Sequence, residues 1–196
     1  MGNEKQGFLK GHLGILQIPI VTVAAIWAAF LLQILLGDAL LGYGLQPRTR
    51  SGAWGIVAMP FLHAGWGHLV SNTVPLLVLT TLLAATGKGW GTMGGIVLLN
   101  GILLWLFGRG DRVHVGASGL VYGLALFLVC RGMVERKAVL IVVSIVVLVL
   151  YGTVLFSGVI PTAGGVSWDG HFFGGLAGAL MARRLRRKPD KERPAA

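Results

Sequence analysis

The spacing of apolar runs constrains this chain more than any other feature. Six stretches, at 17–37, 68–86, 91–107, 116–131, 138–156 and 169–185, approach the ~20 mainly apolar residues that carry a helix across a ~30 Å hydrocarbon core. A backbone crossing lipid must satisfy its own hydrogen bonds, so runs of this length predict an all-α, polytopic membrane protein built as a six-transmembrane-helix bundle. Composition agrees: 12% of the residues are charged, about half the roughly 25% of a soluble domain. The 31 glycines fall inside the apolar runs with no three-residue period, which excludes collagen and disordered linkers and fits closely packed membrane helices. A lone cysteine, Cys130, forms no intrachain disulfide and reads as an apolar filler.

The first run is longer than a signal-peptide core and lacks a following small-residue cleavage site, so it is expected to be a retained helix. An even number of spans puts both termini on one side. Of the 17 Lys and Arg, only Arg48, Arg50, Arg109 and Arg112 then fall on the opposite side. The positive-inside rule therefore predicts two cytoplasmic termini in an integral membrane protein. The expected organisation is a short cytoplasmic segment at 1–16, a six-helix membrane domain at 17–185 and a basic cytoplasmic tail at 186–196. Beside a membrane helix, that tail reads as a topology or lipid-headgroup element, with no nucleic-acid partner.

Ionisable residues inside membrane spans mark function by default. Three segments qualify: His63 to Asn72 leading into the second span, Gly116-Ala-Ser118-Gly119 opening the fourth, and Gly170-His171 opening the sixth. Spans two, four and six all start on the outer side, so His68, Asn72, Ser118 and His171 share one depth and can converge. Asn72 follows His68 by four residues and lies on the same helix face, as does Tyr122 relative to Ser118. A serine hydroxyl needs a base, and an attacked carbonyl needs donors for its developing charge. Ser118 is thus the expected nucleophile and His171 the base, with His68, Asn72 and the Ser118 backbone N–H as the oxyanion hole. Asp169 is too close in sequence to His171 to face it, which favours a dyad. Gly119/Gly123 and Gly174/Gly178 form two G-x-x-x-G faces through which the fourth and sixth spans can approach.

Together these motifs, His63-x4-His68-x3-Asn72, Gly116-Ala117-Ser118-Gly119 with Tyr122, and His171-x2-Gly174-x3-Gly178, resemble the rhomboid family of intramembrane serine proteases. The resemblance implies cleavage of single-pass transmembrane protein substrates at or near the membrane, with no metal and no organic cofactor. It assigns Ser118 and His171 to the dyad and His68 and Asn72 to the oxyanion site. It implies that Tyr122 packs on the His171 ring and that His63 is a structural or site-shaping residue in the entry loop. It also implies a partly embedded first loop over 38–67 and a mobile gate formed by the fifth span and the loop 157–168. Where many members carry a Trp-Arg pair, the first loop here has Gln46-Pro47-Arg48 and a later Trp54.

The rival readings are a catalytically silent member of the same fold that binds membrane clients, and a small transporter. Retention of Ser118 and His171 argues against the first, and the absence of an internal repeat against the second. His12 and His114 read as solvated loop residues, and Asp38, Asp111 and Glu135 as boundary charges. The tryptophans read mostly as interfacial anchors.

Overall fold

The computed structural model describes residues 2–161 and 167–186, with side chains from residue 14 onward apart from that of residue 38. Seven helices occur among the described residues: α1 (Gly2–Leu36), the one-turn α2 (Gly55–Ala58), α3 (Trp66–Ala85), α4 (Trp90–Phe107), α5 (Ser118–Glu135), α6 (Ala138–Ser157) and α7 (Trp168–Arg184). Five of them, α1 from Gly14, α3, α4, α5 and α6, are long and apolar enough to cross a bilayer. The sixth predicted span corresponds to α7, which is shorter at 17 residues and ends on Arg183 and Arg184. The protein is an integral membrane protein of all-helical architecture.

The helix α1 begins at Gly2, so helical backbone runs through the segment expected to precede the membrane domain. A helix need not stop where hydrocarbon stops, and residues 2–16 contain no proline to stop it. The basic tail beyond Arg186 and the central part of the 157–168 loop, at 162–166, lie outside the described residues.

Helix α5 is the hub and is buried on nearly every side. In lipid the hydrophobic effect hardly distinguishes a helix partner from an acyl chain, so close packing and interhelical hydrogen bonds decide which faces meet. The α5–α7 seam shows this directly. A methyl group at Gly174 would run into the Gly119 carbonyl, and one at Gly178 into that of Gly123. Backbone thus meets backbone along the two G-x-x-x-G faces. Against α6, the Ser144 hydroxyl is 3.1 Å from the Leu128 and Val129 carbonyls and 2.8 Å from that of Leu140. Gly132 leaves the space for it. The rest of α6 turns outward, with residues such as Val142, Val149 and Phe156 more than half exposed, as a lipid-facing helix requires.

Helix α1 packs on α3. The Trp27 indole N–H donates to Thr73 Oγ1 at 3.1 Å, and Trp66 meets Phe30 edge-on at 4.9 Å between centroids. Trp27 is therefore an interhelical contact rather than an interfacial anchor. At the end of α5 opposite Ser118, Glu135 is also not a solvated boundary charge. It accepts from Arg131 Nε at 2.6 Å with 3% of its side chain exposed, while Arg131 Nη1 donates to the Thr86 carbonyl, tying α5 to the α3–α4 turn.

The first loop is a chain of short turns, three of them 3₁₀ (Asp38–Tyr43, Ser51–Trp54 and Met59–Phe61) around α2. Main-chain bonds fasten it to the segment preceding α5. Leu45 and His114 exchange N–H···O bonds of 2.9 and 2.7 Å, and Gly116 N–H donates to the Met59 carbonyl at 2.9 Å. At its other end the Gln33 amide bonds both backbone groups of His63, donating to its carbonyl at 2.8 Å and accepting from its N–H at 3.2 Å.

Candidate active site

Ser118 is the first residue of α5, and the turn before it depends on Gly116. That residue has φ +110°, a conformation poorly open to L side chains, and the His68 imidazole occupies the place where a Cβ would sit. The chain can therefore pass close under His68 and enter α5 with the Ser118 hydroxyl facing inward. As an N-terminal helical residue, Ser118 also carries one of the N–H groups that the helix itself cannot bond.

His171 comes from the first turn of α7, which is capped by Ser167: its Oγ accepts from Gly170 N–H, and its carbonyl accepts from His171 N–H at 3.0 Å. His171 Nε2 lies 2.9 Å from Ser118 Oγ, and Nδ1 lies 2.8 Å from the Gly158 carbonyl oxygen at the end of α6. A carbonyl can only accept, so Nδ1 carries the proton and Nε2 presents its lone pair to the serine hydroxyl. The Tyr122 ring stacks on the imidazole, 4.1 Å between centroids and 5° from parallel, and its hydroxyl donates to the Val154 carbonyl at 2.7 Å. Two carbonyls near the end of α6 thus hold the two stacked rings.

The pair opens into a cavity of about 550 Å³ whose walls include His68, Asn72, Arg112 and Tyr122. Asn72 Nδ2 donates to the His68 carbonyl one turn back at 2.9 Å, which uses one amide hydrogen and leaves the other. His63 does not reach the cavity. Its fully buried ring packs between Phe30 and His68, 5.1 Å from the latter, with no hydrogen-bond partner on either nitrogen. Burial, and secondarily the neighbouring His68, lowers its pKa to about 4, so it is neutral at physiological pH. Of the residues singled out in the sequence, Ser118, His171, Tyr122, His68 and Asn72 share the cavity. Gly116 lies under His68, and Gly119, Gly174 and Gly178 lie in the α5–α7 seam.

Two features were not read from the sequence. The Gly158 carbonyl carries no side-chain signal. His114, expected to be solvated, is 2% exposed: its Nε2 is 3.2 Å from the Arg109 carbonyl and its Nδ1 2.7 Å from Ser167 Oγ. Burial lowers its pKa. It belongs to a cluster with Arg109, Ser167 and Asp169, in which both Asp169 carboxylate oxygens accept from Arg109. Among the described residues, no group of three His, Cys, Asp or Glu is placed to hold a metal.

Fold and site together define a polytopic helical membrane protein with a serine–histidine pair sunk below one face. The chain belongs to the rhomboid family: the family's Rhomboid domain matches residues 50–188. It is 39% identical over 181 residues to an uncharacterized protein of Mycobacterium tuberculosis, covering 87% of this chain and 75% of that one. An uncharacterized protein of Mycobacterium leprae is 36% identical over 202 residues, 97% of this chain and 78% of the relative. Rhomboid-related protein 2 of Mus musculus is 29% identical over 196 residues, 89% and 64%.

Proposed function

We propose that this chain is an intramembrane serine endopeptidase that cleaves single-pass transmembrane proteins at or near the membrane. The observation that carries the reading is the 2.9 Å approach of Ser118 Oγ to an imidazole nitrogen whose partner nitrogen is bonded to a backbone carbonyl. His171 Nε2 takes the hydroxyl proton as Ser118 Oγ attacks the scissile carbonyl, and the imidazolium keeps its Nδ1–H on Gly158. The developing oxyanion is met by the Ser118 N–H and by donors from Asn72 and His68, supported by the positive end of the α5 dipole. His171 then returns the proton to the leaving amine. Water, activated by the same nitrogen, hydrolyses the acyl-enzyme and restores the serine. No step draws on a metal or an organic cofactor.

Both termini are assigned to the cytoplasm of a prokaryotic cell, which puts the site near the outer face, and the tail at 186–196 to the inner lipid headgroups. The test is fluorophosphonate labelling of detergent-purified protein, with cleavage of a model transmembrane substrate alongside. Labelling and cleavage are expected in the wild type and lost in Ser118→Ala and His171→Ala at equal folded concentration. Wild type that reacts no faster than either variant and cuts nothing overturns the assignment and favours a client-binding role.

A further inference from the structure

Asp169 is the second residue of α7 and is 2% exposed, a buried carboxylate that the proposed proteolytic chemistry does not use. Its oxygens take both ends of one residue in the opposite loop. Oδ2 accepts the Arg109 backbone N–H at 2.9 Å, and Oδ1 accepts Arg109 Nη2 at 3.0 Å. The guanidinium also lies over the Trp168 ring, 5.1 Å from its centroid. His114 closes the cluster. The Arg109 carbonyl can only accept, so Nε2 of this buried imidazole carries its proton and Nδ1 faces the Ser167 hydroxyl at 2.7 Å, a hydroxyl that also lies 3.3 Å from Asp169 Oδ1. Ser167 in turn caps α7 through Gly170 N–H.

The placement of these groups gives them a purpose. Arg109 and His114 lie in the segment that runs from α4 into Ser118, whereas Ser167 and Asp169 open the helix that carries His171. The nucleophile and the base come from elements far apart in sequence, yet must meet within hydrogen-bond reach. The G-x-x-x-G seam allows α5 and α7 to approach, but a seam of backbone and glycine is smooth along its length. The Asp169–Arg109 pair is the polar tie at its outer end.

We propose that Asp169 is a positioning residue: held by Arg109, it sets the first turn of α7 against the segment leading to Ser118, so that His171 meets the serine. This rests on the dyad reading above. With Asp169 buried and Arg109 partly exposed, the pair fixes geometry more surely than it adds stability, and misplacing reacting groups by about 1 Å costs on the order of 10²-fold in rate.

The experiment measures kcat and KM on a transmembrane substrate, per folded molecule, for wild type, Asp169→Asn, Arg109→Met and the double variant. Asp169→Asn is expected to lose about 10- to 100-fold in kcat with little change in KM. The double variant should lose no more than the worse single one, because both act through one tie. Wild-type kcat per folded Asp169→Asn molecule overturns the proposal, and so does a double variant whose losses multiply. If Asp169→Asn does not fold, Arg109→Met alone carries the test, since it removes the guanidinium that bonds Asp169 Oδ1. A lowered kcat supports the tie and an unchanged one overturns it. Failure of the dyad reading shows differently, as wild type indistinguishable from Ser118→Ala.

Discussion

At the scale of single residues, the polar groups in this bundle fall into two sets with different expected responses. Asn72 has one amide hydrogen committed to the His68 carbonyl and one facing the cavity. Asn72→Ala should therefore lower kcat by about 10²-fold, the usual cost of one oxyanion donor, while leaving more activity than Ser118→Ala. Progress curves at saturating substrate check this, and an unchanged turnover removes Asn72 from the role. His63 belongs to the second set, buried, uncharged and behind the cavity wall that His68 forms. Its folded pKa of about 4 lies below the ordinary 6.5, so between those values the unfolded chain takes up a proton that the folded one does not. Stability is then full above pH 6.5, falls as pH drops from 6.5 towards 4, and falls no further from this group below that. Detergent-unfolding titrations across this window should show the decline, and His63→Phe should make it shallower. Ser118, His171, His68 and Asn72 were legible because an ionisable or polar residue at a span's mouth is costly enough to stand out. Asp169 and His114 were not, because a charge between spans is ordinarily solvated and the partner that buries this one, Arg109, lies 60 residues away in sequence.

At the scale of helices and loops, apolar length located all six long elements, and the alternation of spans put the mouths of α3, α5 and α7 at one face. What it could not supply was the course of the connections. The first loop bends through three 3₁₀ turns held by main-chain bonds, and no hydrophobic period encodes them. The end of α6 was hidden for the same reason. Gly158 there has the Tyr122 hydroxyl where a Cβ would be, with His171 Nδ1 close by. Gly158→Ala should push that end outward and separate the carbonyl from Nδ1. The expected result is at least about a 10-fold loss of kcat with α6 still formed, a loss that Gly152→Ala, which has open space at its Cβ, does not share. Equal activities for the two variants would show that the end of α6 is free to move without consequence.

At the scale of the whole molecule, the asymmetric distribution of basic residues is the basis of the proposed orientation of the bundle. With Cys130→Ser as background, Ala196→Cys should react with a membrane-impermeant maleimide only after cells are opened, and Arg50→Cys should react in intact cells. The reverse pattern would invert the assigned orientation and move the cavity to the inner face. The His171–Gly158 bond also bears on how such a protein diverges. An aspartate beside a histidine can be lost with one codon, but a peptide oxygen is present whatever the residue. Inheritance of this partner therefore depends on where a helix ends, and drift that respects the length of α6 leaves it in place.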